Sequence, residues 1–207
     1  PAETWSALLS ALRRSGFVAA AMPFMPVDGP AFQALLATQN GAGRPLASLE
    51  NHRRAFLRSP LSGDEYVRST LERRRRKEAG RQKRRLSDLG ELRFSMAREE
   101  IDVAAALEMF LALEASGWKS RAGTDLLSAP GGAAYFREVA RAGSQRDAFR
   151  VALLTLDGRA IAAGLVAIAG RRAFYVKTAY DEALARFSPG LLVSLDMTAR
   201  LLDDPSI

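Results

Sequence analysis

The chain has no cysteine among its 207 residues and one histidine, His52. Without thiols there is no disulfide framework, no thiolate metal site and no cysteine nucleophile, although this does not itself fix a redox compartment. A histidine-based triad or a multi-histidine metal centre within the chain would rest on His52 alone. His52 therefore reads as structural or solvent-exposed, and no metal is expected. No apolar run reaches the roughly 18 residues of a membrane-crossing helix. Residues 5–12 form an amphipathic pattern without a signal-peptide core or cleavage site, so the cytoplasm is the default compartment.

What is present suits a folded protein. Hydrophobic residues make up 48% and charged residues 26%, and the length allows one large or two small domains with a real core. The net charge of +7 is concentrated in one place. Arg68, Arg73, Arg74, Arg75, Arg76, Lys77, Arg81, Lys83, Arg84 and Arg85 face only Glu72 and Glu78, which leaves the rest of the chain close to neutral. Residues 66–86 have few breakers apart from Gly80 and predict one long basic helix, or two joined at Gly80. Such a helix reads either as a solvated connector or as a contact for phosphates, acidic glycans, lipid headgroups or RNA. It has no interleaved aromatics, which weakens a single-strand nucleic-acid reading.

The clearest pattern lies towards the C-terminal end. A strand over Phe149–Leu156 runs into Asp157-Gly158, a pair suited to the two positive φ angles of a tight hairpin. The chain then returns as a second strand over Arg159–Ala169, turns at Gly170-Arg171-Arg172, and forms a third strand over 173–180. Simple alternation puts Phe174, Val176 and Thr178 on one face of that strand and Tyr175, Lys177 and Ala179 on the other. After Asp181 the chain reaches Ser188-Pro189-Gly190, where a serine can cap a helix and a proline suits its first position. The helix presents Leu191, Leu195 and, less regularly, Leu192, Ala199 and Leu202. The free N–H groups and dipole of such an N-terminus favour an anion, and a pyrophosphate would fit.

Earlier in the chain, Trp5, Leu8, Leu9 and Leu12 share a helical face. Strands are expected over 17–24 and 45–49, with a short helix over 31–38. A strand over 91–96 precedes a helix bearing Val103, Leu107, Phe110 and Leu111, which Gly117 ends. Trp118-Lys119-Ser120-Arg121, a loop, and a helix over 133–142 follow. The whole reads as α+β, a mainly antiparallel sheet flanked by helices.

This order, together with RRRRKEAGRQKRRL, ASGWKSRAGTDLL, LLTLDGRAIAAGLVAI and YDEALARFSPGLLVSLDM, resembles the acetyltransferase family associated with cellulose biosynthesis. That family is a branch of the GNAT superfamily related to the Fem peptidyltransferases. The likeness spans roughly 66–202, and residues 5–57 resemble the later part of a degenerate first GNAT half.

The resemblance implies an acyl-CoA N-acyltransferase fold in a double-GNAT arrangement: residues 1–60 as part of a first half, 61–90 as a basic connecting helix, and 91–207 as the acyltransferase domain. It implies that acetyl-CoA, or another acyl-CoA, is the co-substrate and that the acceptor attacks the thioester directly. The pyrophosphate would lie at Ser188, Pro189, Gly190 and Leu191, and the pantetheine along Val176, Lys177, Thr178 and Ala179. Trp118, Lys119 and Arg121 would border the acceptor with Tyr180, and Tyr175 and Lys177 are the catalytic candidates. Asp181 and Glu182 are candidates for a general base or for a turn. The acceptor would be a small molecule or a saccharide precursor. A Fem-like use of aminoacyl-tRNA through the basic helix, or a non-catalytic interaction module, are the alternatives. The family has further strands beyond the last helix, so the chain is expected to be a piece of a longer protein, and an open sheet edge would favour a homodimer.

Overall fold

A computed structural model describes residues 2–22, 25–51, 53 and 55–207, with Trp118 and Lys119 described in backbone only. His52 lies outside the described residues. The chain divides into two compact units, Pro1–Phe56 and Leu57–Ile207.

The first unit holds helices α1 (Ala2–Arg14) and α2 (Pro30–Gly41), tied by the Trp5 indole N–H donating to the Ala31 carbonyl at 2.8 Å. The strands expected over 17–24 and 45–49 are not formed at 17–22 or at 45–49. The cause is local. Gly16 takes a φ of 85°, and the Phe17 N–H reaches back to the Leu12 carbonyl at 3.1 Å, so Phe17 completes the C-terminal cap of α1. Gly43 and Arg44 end α2 in the same way. Among the described residues neither segment has a partner strand to complete a ladder.

The second unit is built on a four-stranded antiparallel meander in the order β1 (Leu92–Ala97), β2 (Phe149–Leu156), β3 (Arg159–Ala169), β4 (Arg172–Tyr180). The β2–β3 hairpin turns where Asp157-Gly158 places it, with φ of 49° and 77°. On one face pack α5 (Glu100–Ser116) and α7 (Gly132–Ser144), with Val103, Leu107, Phe110 and Leu111 against Val151 and Leu165. On the other pack α4 (Arg73–Ser87) and α8 (Pro189–Leu202), with Leu86, Val193 and Met197 against Leu154, Ile161 and Val166. The sheet is covered on both sides, so β2 and β3 are almost continuously apolar rather than alternating.

Two expectations need correction here. The basic segment does break into two helices, but at Leu71-Glu72 rather than at Gly80, which lies inside α4. Helix α3 (Gly63–Thr70) begins with a reciprocal Ser62–Glu65 capping box and is anchored on α8. Gly63 donates to the Asp203 carboxylate at 2.7 Å, and a Cβ at Gly63 would come within 2.1 Å of the Ala199 carbonyl oxygen. Helix α4 is separately held by buried Ala79 and Leu86. Packing at the two ends outweighs the single weak glycine between them.

The second correction concerns β4. Leu165 pairs with Lys177 and Val166 with Tyr175, so Val176 is an extra residue in a β-bulge. The bulge reverses the alternation: Lys177 faces α5 whereas Tyr175 faces α8, and the two do not share a face as simple alternation requires.

Candidate functional site

β4 is the last strand of the sheet, and its outer edge has no partner strand among the described residues. It leads directly through a 3-10 helix (Glu182–Phe187) to Ser188 and α8. Asp181 starts the 3-10 helix by accepting from the Ala183 N–H at 3.0 Å, and it also binds Arg159 at 2.8 Å. It is therefore engaged in a turn and an ion pair.

Ser188 does not cap α8 with its side chain, contrary to expectation. It sits in the left-handed region (φ 51°, ψ 48°), and its carbonyl accepts from the Leu191 and Leu192 N–H groups at 3.0 and 3.1 Å. The Gly190 N–H has no acceptor among the described residues. A non-glycine residue held left-handed is strained, and here the strain turns the chain sharply enough to open the end of α8. The result is a concave cleft of about 330 Å³ lined by Thr178, Tyr180, Ala185, Ser188, Gly190 and Leu191. No acidic side chain lines it, and it combines a free backbone N–H, hydroxyl groups and the positive end of a helix. That donor set suits a phosphate-bearing ligand. Gly190 sits in a close approach, because a Cβ there would lie 3.0 Å from the Tyr180 ring and would push it aside by a few tenths of an ångström.

The structure thus brings Thr178, Ser188, Gly190 and Leu191 together, and adds Tyr180 and Ala185. Pro189 is buried at the first position of α8, and Ala179 turns its side chain into the α5 core. Val176 stands at the bulge on the open edge. Tyr175 lies further along α8, where its hydroxyl meets the Ser194 carbonyl at 3.3 Å and the Thr198 hydroxyl. Desolvation against α8 pushes its pKa up, so the phenol stays protonated at neutral pH.

Lys177 belongs to a different cluster. Its ammonium lies 2.8 Å from Glu114, whose side chain is 1% exposed, and Glu114 also accepts from the Leu126 N–H at 3.0 Å. Arg121, in α6 (Trp118–Arg121), reaches Glu182 at 2.7 Å and so ties that turn to the 3-10 helix before Ser188. Trp118 and Lys119 begin the same turn, and the roles expected of their side chains lie outside the described residues. Glu114 and Ala185 were missed from the sequence. Glu114 was findable: it falls on the same face as Val103, Leu107, Phe110 and Leu111, and an acid in a core-facing position needs a partner.

Among the described residues no group of side chains is arranged to hold a metal, and no helix is long and apolar enough to cross a membrane. Compared with known protein families, the chain matches the acetyltransferase (GNAT) domain over residues 73–205. No curated protein matches it.

Proposed function

Because the chain belongs to the GNAT acetyltransferase domain family, a family of acyl-CoA-dependent acyltransferases, we propose that it transfers an acyl group, most simply acetyl, from CoA to an amine or hydroxyl. The observation that carries this reading is the cleft at Ser188: a strained turn, an unoccupied Gly190 N–H and a cleft free of acids, directly after an open-edged strand.

In this reading Ser188, Gly190 and Leu191 hold the pyrophosphate, with Thr178 and Tyr180 as the cleft wall. CoA supplies a thioester, whose acyl carbon is open to direct attack. The backbone around Val176, freed from the ladder by the bulge, donates to the carbonyl oxygen as negative charge develops there. On the α5 side, Glu114 fixes Lys177 so that a positive charge stands beside the acceptor, and Arg121 with Trp118 and Lys119 borders it. Tyr175 is a protonated donor held by α8. The acceptor proton leaves to solvent or a base as the bond to the acyl carbon forms, and the departing thiolate takes up a proton. The acceptor is a small metabolite or saccharide precursor in polysaccharide or envelope metabolism, following the resemblance to the cellulose-associated branch. The reaction is placed in the cytoplasm, where acyl-CoA is made. The open β4 edge is the surface on which a homodimer would form.

Calorimetric titration with acetyl-CoA and CoA tests this, beside Leu191→Glu at a 45%-exposed position of the cleft and Gly190→Glu. Micromolar binding by the wild type that both variants lose is expected. A folded wild-type chain that binds neither ligand overturns the proposal.

A further inference from the structure

Helix α4 buries only Ala79 and Leu86. At 100° per residue, Arg73, Arg74, Lys77, Arg81, Arg84 and Arg85 fall on the opposite side, and all six are exposed. Arg81 pairs with Glu78 at 2.5 Å. Arg85 acts on Glu78 at longer range, and among the described residues Arg73, Arg74, Lys77 and Arg84 have no carboxylate within ion-pair distance. Three cations of the helix lie off this side: Lys83 binds Asp196 at 3.0 Å, Arg76 donates to the Arg68 carbonyl at 2.5 Å, and Arg75 is exposed. Between the outward residues runs a shallow, open trough of about 530 Å³, lined by Arg73, Arg74, Lys77, Glu78 and Arg81.

Like charges four residues apart at 73/77, 77/81 and 81/85 oppose helix formation, so the helix stands on its buried side while its outer side repels itself. A polyanion relieves that repulsion. Five of the six cations are arginine, whose planar fork matches phosphate better than a lysine ammonium does. They form a ridge along one helix, with steps of about 6 Å between successive turns, rather than a flat field. A ridge follows a strand of phosphates better than it covers a bilayer, and the outer side carries no apolar residue to insert into lipid. It carries no aromatic residue for stacking unpaired bases either.

We propose that the outer ridge of α4 binds the phosphodiester backbone of double-stranded or structured nucleic acid, independently of base sequence. This does not depend on the acyl-transfer reading, because none of these residues lines the Ser188 cleft.

Fluorescence anisotropy of the full chain with a short RNA duplex and a DNA duplex of the same sequence, from about 50 to about 200 mM salt, tests it. Affinity should fall steeply with salt. The combined variant Arg73→Gln/Arg74→Gln/Lys77→Gln/Arg81→Gln should lose at least about tenfold, with a shallower salt slope by roughly 0.9 for each duplex phosphate contact removed. Arg84→Gln/Arg85→Gln, at the end of the helix, should lose several-fold and gives a second reading if the larger variant fails to fold. Arg137→Gln/Arg141→Gln on α7, where both arginines are already ion-paired, should leave affinity unchanged. Tighter binding of RNA or of DNA identifies which is the natural source. The proposal fails if the folded wild type binds neither duplex at low salt. It also fails if the α7 variant loses as much as the α4 variants, or if phosphatidylserine vesicles bind through α4 while the duplexes do not. Acetyl-CoA titration of the combined variant should match the wild type, which keeps this result separate from the Ser188 site.

Discussion

Arg150 and the α4 ridge show the same side chain in opposite circumstances. Arg150 is 1% exposed on β2, yet its guanidinium is matched: it donates to Asp147 at 2.8 and 3.0 Å and to Asp204 at 2.6 Å. Arg98 joins the same cluster through Asp147 at 2.6 Å. This cluster locks the turn after α8 onto the start of β2, so the C-terminal helix is fixed at the end far from Ser188. The ridge arginines are exposed and mostly unpaired, and the fold places no demand on them. Burial obliges a charge to find partners inside the protein, whereas exposure leaves it free for a partner outside.

That contrast can be broken most sharply at Arg150. Arg150→Ala leaves the mostly buried Asp204 with only the longer Arg98 contact at 3.5 Å, and should cost about 3 kcal/mol of stability in urea unfolding. A loss under 1 kcal/mol would mean that the cluster is not what holds the helix end. Lys177→Met tests the second internal pair and should cost about 2 kcal/mol, less than Arg150 because Lys177 remains 26% exposed and partly solvated.

Acid supplies a milder probe. Hydrogen bonds from Ser206 and Arg150 hold Asp204 down at about 2 against the cost of its burial, and Arg150 with Arg98 lowers Asp147. Both folded values lie below the unfolded ones, so their contribution is complete above about pH 4 and is lost as pH falls towards about 2. The urea midpoint should drop across that window in the wild type and drop less in Arg150→Ala. At the weak end, Arg84→Gln/Arg85→Gln should change stability by no more than a few tenths of a kcal/mol, because relief of like-charge repulsion is offset by loss of two cations from the last turn of the helix. A clear loss there would show that the ridge supports the fold after all.

Much of the second unit could be read in advance. β2 and β3 lie between the residues expected, because Asp157-Gly158 fixes the hairpin locally and the apolar runs on either side have few other uses. The α5 and α7 helices follow from their apolar spacing. The segment that borders the candidate cleft, Ser188-Pro189-Gly190-Leu191, stood out in the sequence, but the geometry of the cleft did not. The sequence suggested a serine side-chain cap, whereas Ser188 takes a left-handed backbone and makes no side-chain cap. It also suggested Tyr175 and Lys177 side by side, whereas the bulge at Val176 separates them onto α8 and α5. Apolar stretches in the first unit were read as strands, although Phe17 is used in a helix cap.

Hydrophobic period, turn pairs and charge density are properties of neighbours along the chain, and by themselves they determined the meander, its flanking helices and the basic character of α4. Where α3 is anchored, which way each β4 side chain points, and which cations are paired depend on residues far apart in sequence: Gly63 against Ala199, Leu165 against Lys177, Arg150 against Asp204. Those were decided only in the tertiary structure, because a break, a bulge or a buried charge is stable only when a distant partner makes up its cost.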